Sequence, residues 1–190
     1  MSLRLSRDDA WDLLTEWVSS PSLRRHCLAV ETAMRAYAER FGEDAELWSV
    51  VGLLHDMDYE RYPDLETGHP RHAIAELERR GVDPVVVRAI ASHADFLGVS
   101  RDSPMEKTLA AVDELSGFIL AVGAVRPEGL TGLSAKSVKK KLKQPSFAAA
   151  VNRDEVRRGA EELGVDFDEH VNFVAAALEA HSDELLPAAA

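Results

Sequence analysis

Apolar residues recur three and four positions apart along almost the whole chain, and this spacing restricts it to packed helices. Ser6 is placed to cap a first helix that carries Leu13, Leu14, Trp17 and Val18. Pro21 and Ser22 open a second, running to about Arg40 with Leu23, Cys27, Val30, Met34 and Tyr37 on one stripe, and Gly42 ends it. A third begins near Glu43 and carries Leu47, Trp48, Val51 and Leu54 into the pair His55-Asp56. The stretch MDYERYPDLETG breaks the pattern with Pro63, Gly68 and clustered polar residues, and reads as loop. A fourth helix starts around His69-Pro70 and stops at Gly81, and Asp83-Pro84 starts a fifth, VVVRAIASHAD. Its β-branched run suits a strand, but the Asp-Pro start and the alanines after it favour helix. Ser103-Pro104 opens the sixth and most apolar helix, MEKTLAAVDELSGFILAVGAV, and residues 126–133 form a loop. Two short polar helices follow, SAKSVKKKLK and NRDEVRRGAEEL, and then one long helix, DFDEHVNFVAAALEAHSDELL, before the tail PAAA. With no internal repeat and no dividing linker, the expectation is an all-α single domain over residues 1–190.

Charge narrows the partners. The net charge is -11, from 33 acidic and 22 basic residues, which argues against general binding to nucleic acid or an anionic membrane. A small anionic substrate stays open, because a local cluster or a metal ion can reverse the field at one site. Cys27 is the single cysteine, so no intrachain disulfide forms. No run reaches transmembrane length and charged residues interrupt the N-terminus, so the expected location is cytoplasmic.

Five polar residues stand where the pattern calls for apolar ones. His26 lies beside the stripe of the second helix, His55 and Asp56 terminate the third, His93 falls near the end of the fifth, and Asp113 interrupts LAAVDELSGFIL. A buried charge or imidazole without a partner costs several kcal/mol, so these groups must satisfy one another or hold a metal. Each alone suits a hydrogen-bonded core residue. Together they offer the imidazole and carboxylate donors that Zn, Mn, Fe, Co and Ni accept, on helices that can face one another.

The order His26, then His55-Asp56, then Asp113 resembles the H…HD…D signature of the HD-domain superfamily of metal-dependent phosphohydrolases. The resemblance covers about residues 20–125, which leaves residues 134–187 as additional C-terminal helices. It implies that His26, His55, Asp56 and Asp113 are the four ligands of a divalent ion (Mn, Fe, Co, Ni, Zn or Mg). GHPRHAIAEL is similar to a segment of binuclear HD proteins, which implies that His69 and His93 hold a second ion or contact substrate phosphate. His72, three residues on, faces another way. HDMDYE and the missing GYP triplet depart from the subgroup that cleaves cyclic dinucleotides, and that substrate is set aside.

Other polar residues carry weaker expectations. Asp58 and Glu60 sit in the loop as solvated carboxylates, or orient a water or donate a proton. Arg61 serves the substrate or pairs with Glu60 or Asp64. Lys136, Lys139, Lys140 and Lys143 share a helical face, either solvated or forming a phosphate-attracting rim, with Lys139 the substrate-binding candidate. Cys27 reads as a buried thiol, and His170 and His181 as surface or packing residues.

The resemblance implies hydrolysis of a small phosphate ester, a nucleotide or related metabolite, with one or two divalent ions per chain. Asp56, Asp113 and Asp58 are the candidates for proton transfer. The same six ligands also suit a di-iron oxygenase, and a closed site would suit a non-catalytic metal-containing module. Composition leaves the oligomeric state undetermined.

Overall fold

The computed structural model describes residues 2–186, and the tail from Pro187 to Ala190 lies outside the described residues. The helices are α1 (Arg7–Trp17), α2 (Pro21–Phe41), α3 (Ala45–Leu54), α4 (Arg71–Arg79), α5 (Pro84–His93), α6 (Pro104–Ala124), α7 (Ala135–Leu142), α8 (Arg153–Leu163), α9 (Phe167–Glu179) and α10 (Ser182–Leu185). A 3-10 turn, Asp95–Leu97, follows α5. Among the described residues there is no strand, only an isolated bridge between Leu3 and Val82 that ties the N-terminal segment to the α4–α5 turn.

Boundaries fall where local chemistry sets them. Ser6 caps α1 in a reciprocal box with Asp9, and Ser103 does the same for α6 with Glu106. Asp44, Asp83, Asn152 and Asp166 each accept from amides in the first turn of the next helix. Gly42 closes α2 in the left-handed conformation that glycine adopts without cost.

Two 21-residue helices, α2 and α6, cross at the centre. Helix α3 packs on α2, α8 on α6, and α9 on both, so one continuous apolar cluster runs from Ala10 to Leu185. Two glycines permit the tight crossings. A Cβ on Gly52 of α3 would lie 2.7 Å from the Glu31 Cα of α2, and one on Gly159 of α8 would lie 2.6 Å from the Ala111 Cα of α6. No side chain fits at either point.

Two expected boundaries change. The long last helix divides: α9 ends at Glu179, and the turn at Ala180–His181 redirects the chain so that α10 packs on α2 and α9 with Leu185 fully buried. Apolar spacing alone cannot report such a turn, because Leu185 is buried on either path. Helix α4 begins at Arg71, two residues later than His69-Pro70, and leaves His69 in the preceding turn with its amide donated to the Tyr62 carbonyl at 2.7 Å.

Candidate metal centre

Six side chains from five places in the chain meet at one end of α3. His26 comes from the second turn of α2, His55 is the C-cap of α3, and Asp56 follows it. Asp113 projects from the middle of α6, His93 is the last residue of α5, and His69 enters from the turn before α4. Because α3 ends there, adjacent His55 and Asp56 both reach the same point, which a continuing helix would not permit.

The donors form two clusters that share one carboxylate. In the first, the His26 and His55 Nε2 atoms are 3.3 Å apart, and Asp113 Oδ1 lies 3.1 Å from His26 Nε2 and 3.3 Å from His55 Nε2. Asp56 Oδ2 completes it, 3.5 and 3.6 Å from the same nitrogens. In the second, the His69 and His93 Nε2 atoms are 3.2 Å apart, and Asp56 Oδ1 lies 3.4 and 3.8 Å from them. One oxygen of Asp56 therefore faces each cluster.

Hydrogen bonds fix which nitrogen presents its lone pair. His55 Nδ1–H donates to the Gly52 carbonyl at 2.8 Å, and His93 Nδ1–H donates to the Ile90 carbonyl. His69 Nδ1–H donates to Asp58 Oδ1 at 2.7 Å, while Asp58 Oδ2 accepts the Ala73 amide at 2.8 Å. With Nδ1 occupied, each of these rings turns its Nε2 toward the cluster, the usual orientation of metal-binding histidines. Separations of 3.2–3.3 Å suit two nitrogens that each lie about 2.1 Å from one ion. Two nitrogens at that distance can share one cation, whether a proton or a metal ion. The donor set fits divalent metal.

Electrostatics agrees. Burial works against a charge on His55, yet Asp56 and Asp113 outweigh it and hold the ring up to about 9. The first cluster thus seats a positive charge, which a divalent ion can supply in the proton's place. Asp113 is also pushed up by burial, but His55 and His26 bring it well below the ordinary carboxylate range, and Asp56 is lowered by the same balance. Burial and the nearby His55 charge hold His93 down to about 4, so its ring is neutral. Glu114 is raised to about 7 by burial and by Asp113, and Glu155 is raised by burial, Asp95 and Asp113. Beyond the six donors, the cavity lining carries three more carboxyl groups, those of Asp95, Glu114 and Glu155.

A cavity of about 490 Å³ opens over the clusters, with Tyr59, Phe96, Glu114, Asn152 and Glu155 among its other lining residues. The sequence singled out none of these five, and only the position of Glu114 beside Asp113 hints at one. Asp58 corrects an expectation: its side chain is fully buried, and it orients His69 instead of sitting in a solvated loop. Glu60 accepts the Ser19 and Ser20 amides at 2.8 and 2.9 Å. Arg61 donates to the Glu16 carbonyl at 2.6 Å and lies over the Trp17 ring, so it meets neither Glu60 nor Asp64. His72 stacks on Tyr62, and Cys27 is buried with its thiol pushed well up by burial and by Asp56.

Lys139 is not brought to this cavity. It pairs with Asp168 at 2.6 Å, and Lys136, Lys140 and Lys143 are exposed on the same solvated face. His170 is a buried packing residue: its Nε2–H donates to the Ala111 carbonyl at 3.0 Å, and its Nδ1 accepts the Tyr37 hydroxyl at 2.6 Å.

A helical bundle that gathers histidines and aspartates from facing helices around a shared carboxylate defines a metal-binding class of protein. Within that class the chain belongs to the HD-domain family, whose model matches residues 23–117, a span that contains all six donors. Over 92 residues the chain is 33% identical to ribonuclease Y 2 of Levilactobacillus brevis, a match covering 48% of this chain and 17% of that protein. The chain therefore aligns with only about a sixth of that relative's length. No solved structure matches the chain.

Proposed function

We propose that the protein is a metal-dependent phosphohydrolase that acts on a small phosphate ester, with nucleotides and related metabolites as the starting candidates. The observation that carries this reading is Asp56, whose two oxygens face two separate clusters of imidazole nitrogens. His26, His55, Asp56 and Asp113 would hold one divalent ion, and Asp56, His69 and His93 a second. Such ions lower the pKa of bound water and polarise a phosphoryl oxygen.

The chain's own residues supply the rest. Asp113 is held ionised and lines the cavity, placed to accept a proton from the attacking water. His69 and His93 keep their Nε2 atoms turned inward through their Nδ1 hydrogen bonds. Asp58 has no surface in the cavity, so it acts through His69 and not on substrate. Burial of His55 and His69 keeps solvent from their donor atoms.

A small ester is favoured over a nucleic-acid strand, although the relative bears the name of a ribonuclease. A polyanionic strand needs cations along its path, and neither lysine nor arginine lines this cavity among the described residues. No helix among the described residues is long and apolar enough to cross a membrane. The six donors would also suit two irons and oxygen chemistry, a reading marked by tightly held iron and visible absorption.

The test is release of inorganic phosphate from p-nitrophenyl phosphate and nucleoside monophosphates by protein loaded with Mn, Co or Ni. Turnover that depends on the metal and disappears with chelator supports the reading. Bound metal without phosphate release from any ester contradicts it.

A further inference from the structure

The segment between α7 and α8, residues 143–152, forms neither helix nor strand, yet it supplies part of the cavity lining. Ala150, Val151 and Asn152 line the cavity over the two clusters, and all three lie beyond the residues that the HD-domain model matches. A stretch this irregular needs partners for its carbonyls, because no helical ladder supplies them. One side chain does.

Arg153, the first residue of α8, turns its guanidinium back into this loop. Its Nη1 donates to the Ala148 and Val151 carbonyls at 2.7 and 2.6 Å, and its Nη2 to those of Phe147 and, at 3.4 Å, Gln144. Each hydrogen of the two terminal nitrogens therefore has a loop carbonyl, a fork that only arginine provides. The same guanidinium lies 5.3 Å from the ring centre of Phe118, a fully buried residue of α6. Phe147 meets that ring edge-on at 5.6 Å, and the Asn152 amide donates to Glu114 Oε2 at 3.0 Å. Glu114 and Phe118 both belong to α6, so the loop is fastened to the helix that carries Asp113.

Ala148 shows that the loop is held in place. Its φ is 43°, in the left-handed region that a residue with a Cβ adopts at a cost, and its carbonyl is one of the four on Arg153. Arg153 is not among the residues that line the cavity, so it acts through the wall and not on substrate. Phosphate belongs at the two clusters, which leaves residues 150–152 for the alcohol part of an ester.

We propose that Arg153 is a positioning residue that sets the fit of the alcohol part of the substrate, by fixing residues 148–152 as a wall of the cavity. This rests on the phosphohydrolase reading and deepens it, since it separates where phosphate is held from where the ester is chosen. Without Arg153 the four carbonyls would turn to water for their hydrogen bonds, and the loop would leave its place. Contacts to a part of the substrate that does not react hold ground state and transition state alike, so their loss appears in KM. Inorganic phosphate has no alcohol part and does not reach the wall.

The experiment measures KM and kcat of the Mn-loaded protein for p-nitrophenyl phosphate, together with the inhibition constant of inorganic phosphate. Arg153→Met should raise KM about tenfold, while kcat, the phosphate constant and bound Mn per chain each stay within about twofold. Arg153→Lys keeps the charge and offers its donors in a poorer geometry, so its KM should fall between the two. Ala150→Trp leaves Arg153 in place and puts a large ring on an exposed position of the lining. It should change KM and spare the phosphate constant. The last two variants carry the test if Arg153→Met does not fold. A phosphate constant that rises with KM means that the Arg153 charge acts on phosphate, and a fall in kcat or in bound Mn means that the donors themselves have moved. Either result overturns the proposal, as does an unchanged KM in the folded Arg153 variants or in Ala150→Trp. The hydrolase reading survives each of these outcomes, because the unmodified protein still releases phosphate. No release from any ester by the unmodified protein removes both.

Discussion

Asp58 is buried without solvent contact, one oxygen on the ring of His69 and the other on the Ala73 amide. Its place in a polar stretch gave it the look of a solvated carboxylate, because burial of a single residue inside irregular backbone leaves no periodic trace. Asp58→Asn can satisfy one of these two donors but not both, so His69 loses its fixed orientation. The second ion should then bind about 10- to 100-fold more weakly while the first is retained. Isothermal titration with Mn measures this, and two undisturbed sites in the variant would show that Asp58 does not position His69. His170 offers a second test, in acid. Burial lowers its pKa, and both nitrogens are satisfied only in the neutral ring. The unfolded chain therefore binds the proton more readily, and the contribution of His170 to stability is present above about pH 6.5 and lost as pH falls below it. Between pH 7 and pH 5 the unmodified protein should lose stability relative to His170→Gln by at most about 1.4 kcal/mol per pH unit below 6.5. Parallel urea-denaturation profiles for the two proteins would contradict this assignment.

Helices α1 to α8 were legible, because serine, aspartate, proline and glycine mark their ends and a three-to-four spacing marks their buried faces. The turn between α9 and α10 and the 3-10 turn after α5 were not, since neither interrupts the apolar pattern. Five of the six donors were legible for a chemical reason, since His26, His55, Asp56, His93 and Asp113 break that pattern at helices that must be buried, while His69 was suggested only by the likeness of GHPRHAIAEL to a segment of binuclear HD proteins. Glu114, Glu155 and Asn152 conform to a solvated helical face, and only the packing of α8 on α6 brings them to the cavity. Gly159 makes that packing possible. Gly159→Ala would place a methyl group 2.6 Å from the Ala111 Cα and force α8 outward. The expected cost is about 1–3 kcal/mol in thermal or urea denaturation. An unchanged midpoint would mean that the α6–α8 crossing tolerates separation.

Across the whole molecule, a strongly acidic chain concentrates histidines and carboxylates at one end of a continuous apolar core, where only a cation reconciles them. Asp56 joins the two halves of that centre, with Oδ2 on His26 and His55 and Oδ1 on His69 and His93. It lies at a helix end and outside the apolar cluster, so its removal should spare the fold. The most direct measurement is metal stoichiometry by elemental analysis of the unmodified protein and Asp56→Ala after saturation with Mn and removal of excess ion. Two ions per chain in the first, and loss of both in a variant that keeps its helical circular dichroism, is the expected result. A folded Asp56→Ala protein with undiminished metal content would contradict it.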